Sequence, residues 1–129
     1  MLEIKQQIAR ALSEAAGGAC PAPEIAAALE YPPSAEMGDL AFPCFRLSRV
    51  LKKAPPAIAA DLAKSFESPA VARAEAAGGY LNLFLDKEYL ARHVIERTVF
   101  SDRPYGSSDT GKGRTVVLDY SSPNVAKPF

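Results

Sequence analysis

Two cysteines, one histidine and no surplus of either charge are the most telling scarcities of this 129-residue chain. Cys20 and Cys44 stand alone, with no C-x-x-C spacing, and His93 has no ligand-type neighbours in sequence. A metal site of the usual sequence-local kind is therefore not expected, and the thiols are expected to be reduced. Fifteen basic residues balance fifteen acidic ones, giving a net charge of zero. No global basic field exists, so any contact with nucleic acid must come from a local patch or from stacking. No apolar run reaches 18 residues and no charged-then-apolar leader opens the chain, which predicts a cytoplasmic protein without a membrane partner.

What is present is ordinary for a folded domain: 48% apolar and 23% charged residues in a length that supports one core. Ile4, Ile8, Ala11, Leu12 and Ala15 recur at helical spacing until Gly17-Gly18 stops them. Ile25, Ala27, Leu29 and Tyr31 alternate up to Pro32-Pro33, which predicts a strand. Asp39 then reads as the cap of a helix carrying Leu40, Cys44, Leu47 and Leu51, with Pro43 in its first turn. After Ala54-Pro55-Pro56 a second helix carries Ile58, Leu62 and Phe66.

The next segments predict a hairpin: a weak strand from Val71 to Ala76, a turn at Gly78-Gly79, and a strong strand from Tyr80 to Leu85. Asp86 caps a helix to about Phe100, in which His93 reads as a partly buried packing residue. Residues 101–113 have linker composition, and Arg114 to Tyr120 reads as a lone strand. The predicted fold is a two-layer α+β domain, an antiparallel or mixed sheet with helices packed on one face, plus a C-terminal stub strand.

Alternation in "YLNLFL" sends Leu81, Leu83 and Leu85 to one face and Tyr80, Asn82 and Phe84 to the other. Two aromatics around an amide form the kind of platform on which an unpaired base stacks, with the amide reading its edge. The competing reading is a second small core on that face. Arg46, Arg49, Lys52 and Lys53 could meet phosphates or could form a solvated helix face. Gly111-Lys112-Gly113 precedes a strand rather than a helix and is no phosphate loop. In the tail, Asp119, Ser121, Ser122 and Asn124 follow the predicted strand, at the end where open α/β sheets bind ligands; the second βα unit of such a site is missing.

The tail "DYSSPNVAKPF" closely resembles the segment of arginyl-tRNA synthetases that leads into the class I His-x-Gly-His signature, one residue short of that histidine. "PPSAEMGDLAFPCFRLSRVLKKAPPAIAADLA" and "AAGGYLNLFLDKEYL" resemble the family's N-terminal Gly-Asp region and its Gly-rich turn with the following strand. The resemblance implies an N-terminal additional tRNA-recognition domain over residues 1–107. Residues 108–129 would be a linker and the first strand of a truncated Rossmann catalytic domain.

It further implies docking on the tRNA elbow at the D-loop, with Tyr80 and Asn82 against an exposed base. Many relatives carry phenylalanine at the first of these positions, and the glycine turn here lacks the proline often found in theirs. Asp119, Ser121, Ser122 and Asn124 would form half of an arginine site. Lys127 would face the ATP and carboxylate side.

The parent implied is an ATP- and Mg2+-using arginine-tRNA ligase whose partners are tRNA(Arg), L-arginine, ATP and the remaining catalytic and anticodon-binding domains. This chain alone, lacking the signature histidines, is expected to be inactive, with no cofactor or metal of its own. A domain that only braces the rest of the synthetase is the alternative, followed by an unrelated small RNA-binding protein. Residues 115–119, without Rossmann neighbours, are expected to be disordered, to borrow an edge of the domain's own sheet, or to pair with another copy.

Overall fold

The structure is a computed structural model that describes residues 1–102, 104 and 106–119. Along the chain run α1 (Leu2–Ala15), α2 (Ala22–Ala28), a 3-10 turn (Ala35–Met37), β1 (Leu40–Pro43), α3 (Phe45–Leu51), α4 (Pro55–Ser65), β2 (Val71–Ala77), β3 (Tyr80–Leu85) and α5 (Lys87–Val99). The strands form one antiparallel sheet in the order β1-β3-β2, so the strand with the strongest alternation lies in the centre. This is the expected two-layer α+β arrangement.

The core fills the space between one sheet face and the helices. Ile4, Ile8 and Leu12 of α1, Ile25 of α2 and Ile58 and Leu62 of α4 pack in one cluster with Leu40, Phe42, Leu81, Leu83 and Leu85 of the sheet. The register pairs Leu40 with Leu83 and Phe42 with Leu81, so the core leucines of β3 sit beside core residues of β1. Gly78 and Gly79 both have positive φ, 56° and 99°, which closes the β2–β3 hairpin between Ala77 and Tyr80. Asp86 caps α5, its Oδ1 accepting from the Tyr89 N–H at 2.7 Å.

Two elements differ from the sequence expectation. Residues 22–28 are helix, not strand: Ile25, Ala28 and Leu29 are the buried set, an i, i+3, i+4 pattern, and Pro23 sits in the first turn, where its missing N–H costs little. Of the expected strand only Glu30 pairs with the sheet, exchanging two hydrogen bonds with Ala41 at 2.9 and 3.1 Å. Residues 40–43, expected as the start of a helix, are strand β1, and the helix begins at Phe45. Asp39 does not cap it. Its Oδ2 accepts from the Leu85 N–H at 2.8 Å, and its own N–H donates to the Leu83 carbonyl at 2.9 Å, so it ties β1 to the far end of β3.

Gly38 permits that tie. Its φ is 100°, and a Cβ there would stand 2.8 Å from the Leu83 carbonyl oxygen. The described part of the lone strand expected at 114–120 pairs with none of the three strands; Val116, Val117 and Leu118 are exposed.

Both cysteines are buried and free. Burial pushes the Cys44 thiol up to about 11, against a smaller lowering by a backbone hydrogen bond from Leu81. A folded value above the unfolded one means that the unfolded chain ionises first. The linked stability is intact below about pH 9 and is lost as pH rises towards 11, by a few kcal/mol at most. Urea unfolding at stepped pH should show that decline, and Cys44→Ala should lessen it, leaving the smaller contribution of Cys20, whose thiol is also raised by burial. Gly38→Ala should cost about 1–3 kcal/mol in the same assay at pH 7, from the left-handed backbone and the crowded carbonyl; an unchanged midpoint would show that Gly38 does not set the β1–β3 approach.

Candidate functional site on the open sheet face

The face of the sheet away from the helices carries the second alternating set. Ala41 stands opposite Asn82 and Pro43 opposite Tyr80 on one side of β3; Glu75 pairs with Asn82, Ala77 with Tyr80 and Arg73 with Phe84 on the other. Apart from Glu75, the cross-strand neighbours of Tyr80 and Asn82 are small, which leaves room above the strand. The segment from Glu30 to Met37 runs beside β1 and supplies a wall, so that Tyr31, Pro32, Pro33, Met37, Tyr80 and Asn82 enclose a cavity of about 380 Å³. That volume lies within the range of small-ligand pockets, roughly 300–1,000 Å³.

Asn82 is the telling residue. It is 6% exposed and the only buried polar residue among those described, yet no hydrogen bond holds its side-chain amide among the described residues. None of its amide atoms is both fully enclosed and unpartnered, so the amide keeps contact with solvent through the pocket. An amide on a pocket floor with free donors and an acceptor can read the edge of a planar polar ligand.

The rings around it have partners of their own. Phe45 meets Tyr80 edge-on, with centroids 5.8 Å apart and planes at 83°, while Tyr80 stays 36% exposed. The Lys5 ammonium lies 4.2 Å from the Tyr31 ring centroid while donating to the Leu29 carbonyl at 2.9 Å. Phe84, half-buried, lies under the Arg73 guanidinium.

Of the residues singled out in the sequence, Tyr80 and Asn82 come together in this pocket. Asp119 is exposed and lies in no helix or strand, while Ser121, Ser122, Asn124 and Lys127 lie outside the described residues. Arg46, Arg49, Lys52 and Lys53 are all exposed around α3, and Lys53 is ion-paired with Asp61 at 2.7 Å. His93 is half-buried in the α1–α5 contact, stacked on Tyr89 and 3.3 Å from Glu3.

Sequence reasoning missed Tyr31, Met37, Phe45 and Arg73. The first could have been found from the helical spacing of Ile25, Ala28 and Leu29, which ends the helix just before Tyr31.

A helix-backed antiparallel sheet whose other face holds a pocket of aromatics and one unpaired amide defines an α+β domain of two layers. The chain belongs to the family described as "Arginyl tRNA synthetase N terminal domain", whose model matches residues 2–85. It is 43% identical over 99% of its length to an arginine–tRNA ligase of Exiguobacterium sibiricum, of which it covers 23%, and 50% identical over 82% of its length to one of Clostridioides difficile, of which it covers 19%. It therefore spans about a fifth of the length of these relatives. A solved arginyl-tRNA synthetase of Thermus thermophilus aligns with 67% of the chain, covering 15% of that protein, at 36% identity and a TM-score of 0.49. No helix among the described residues is long and apolar enough to cross a membrane.

Because its amide makes no internal bond, Asn82→Ala should change unfolding free energy by less than about 1 kcal/mol, well under the roughly 1–3 kcal/mol for a buried, bonded amide. A larger loss in chemical denaturation would mean that the amide serves the fold.

Proposed function

We propose that this chain is the tRNA-recognition part of an arginine–tRNA ligase and that the open-face pocket receives an unpaired base of the D-loop at the elbow of tRNA(Arg). The observation that carries the reading is the solvent-reaching, internally unbonded Asn82 amide on a floor beside the Tyr80 ring. A base is flat, has a π-face for the ring and hydrogen-bonding edges for the amide, and stacking tolerates a chain of zero net charge. Kinship with arginine–tRNA ligases supports tRNA(Arg) as the partner.

In the whole enzyme, working in the cytoplasm, ATP with Mg2+ would activate the carboxylate of L-arginine. The carboxylate displaces pyrophosphate to give an arginyl adenylate, and a terminal ribose hydroxyl of the tRNA then displaces AMP. Asp119, Ser121, Ser122 and Asn124 would contribute to the arginine side and Lys127 to the ATP and carboxylate side. The elbow contact made here would act remotely, helping to orient the acceptor end. By itself the chain would carry no aminoacylation activity.

A second reading, bracing of the other synthetase domains without RNA affinity, draws support from α5. It has no buried residue and exposes Ile95, Val99 and, at its end, Phe100, the last at 77%.

Titration of labelled tRNA(Arg) transcript at low salt separates the two. Binding that Tyr80→Ala weakens about 5- to 150-fold, as expected for one stacked base, and that Tyr80→Phe preserves would support the pocket. Absence of binding at high protein concentration would support the brace.

A further inference from the structure

The pocket holds a base-reading amide and rings but no lysine or arginine among its lining residues. A nucleotide seated there brings a phosphate with it, and the whole chain offers no surplus positive charge to meet it. The sheet register supplies one cation on the same face. Arg73 stands on β2 opposite Phe84, and Phe84 lies two residues along β3 from Asn82, about 7 Å at the usual strand rise.

The guanidinium carbon lies 3.7 Å from the Phe84 ring centroid, close enough for the ring to orient it. Its side chain is 59% exposed, and the one side-chain bond it makes among the described residues is from Nη1 to Glu75 Oε1, at 2.6 Å. Arginine has five N–H donors, so most of the fork faces water. The ion pair with Glu75 is itself exposed, and such pairs contribute little, so a phosphate can displace the carboxylate at small cost.

We propose that Arg73, oriented by Phe84 and parked on Glu75, is a phosphate clamp for the RNA backbone next to the base held by Tyr80 and Asn82. The clamp rests on the base-pocket reading above. In the free domain Glu75 occupies the fork; in the complex a phosphate oxygen takes that place, and the Glu75 carboxylate returns to water. Phe84 is a positioning residue that fixes the plane of the guanidinium, a function that a lysine at this position could not share.

The test is fluorescence-anisotropy binding of this chain to tRNA(Arg) transcript across a salt series, with thermal unfolding run on every variant to confirm equal folding. Arg73→Gln should weaken binding about tenfold and lower the slope of log affinity against log salt by about 0.7–0.9, one phosphate contact. Arg73→Lys should keep the slope and still weaken binding, and it serves if the glutamine variant is unstable. Tyr80→Ala should weaken binding with the slope unchanged.

Glu75→Gln should tighten binding about two- to fivefold when Arg73 is intact and have no effect when combined with Arg73→Gln. An equal gain in both backgrounds would mean a general field effect and would overturn the clamp. Wild-type affinity and slope for Arg73→Gln, with Tyr80→Ala still weakened, would overturn the clamp and leave the pocket standing. No binding, or binding untouched by Tyr80→Ala, would remove the pocket and the clamp together.

Discussion

The burial of Leu81, Leu83 and Leu85 against the helices fixes everything on the other side of the sheet. Side chains of a strand alternate strictly, so seating these three leucines forces Tyr80, Asn82 and Phe84 outward together. A slip of one residue would carry the Asn82 amide into the apolar core and the leucines into water. The stability of the domain and the geometry of its pocket are therefore one quantity seen from two faces. A register change cannot spoil the site without also unfolding the core.

The register is enforced at both ends of β3. At one end Gly78 and Gly79 close the hairpin and the Cys44 N–H donates to the Gly79 carbonyl at 3.0 Å. At the other end Asp39 holds the Leu85 N–H, while Gly38 lets the backbone approach Leu83 closely enough for the contact. Between these anchors the open face has only to be kept uncrowded. Ala41 and Ala77 do this, and larger residues there would fill the space in which a ligand can sit.

Much of this was legible in the sequence because it depends on local period. The helical repeat of α1, the Asp86 cap and the alternation of β3 each involve residues close together in sequence, and Tyr80 and Asn82 follow from β3 alone. What could not be read is non-local. β1 is four residues long and buried on both faces, so "LAFP" has no alternation, and the partner of Asp39 lies 46 residues away. The misread α2 has a different cause: its alanines fit either period, and only the packing of Ile25, Ala28 and Leu29 on the core settles it. That misreading hid the wall of the pocket, since Tyr31 gains its place from the point where α2 ends.

On the reading proposed above, the open sheet face, and not the apolar stripe of α5, meets tRNA. Following the side-chain amide of Asn82 and the ring of Tyr80 by NMR while an arginine-tRNA D-arm hairpin is added tests it most directly. Saturating shifts of those two groups are expected, with the Ile95, Val99 and Phe100 signals unmoved. Shifts confined to α5, with Asn82 and Tyr80 unchanged, would contradict it.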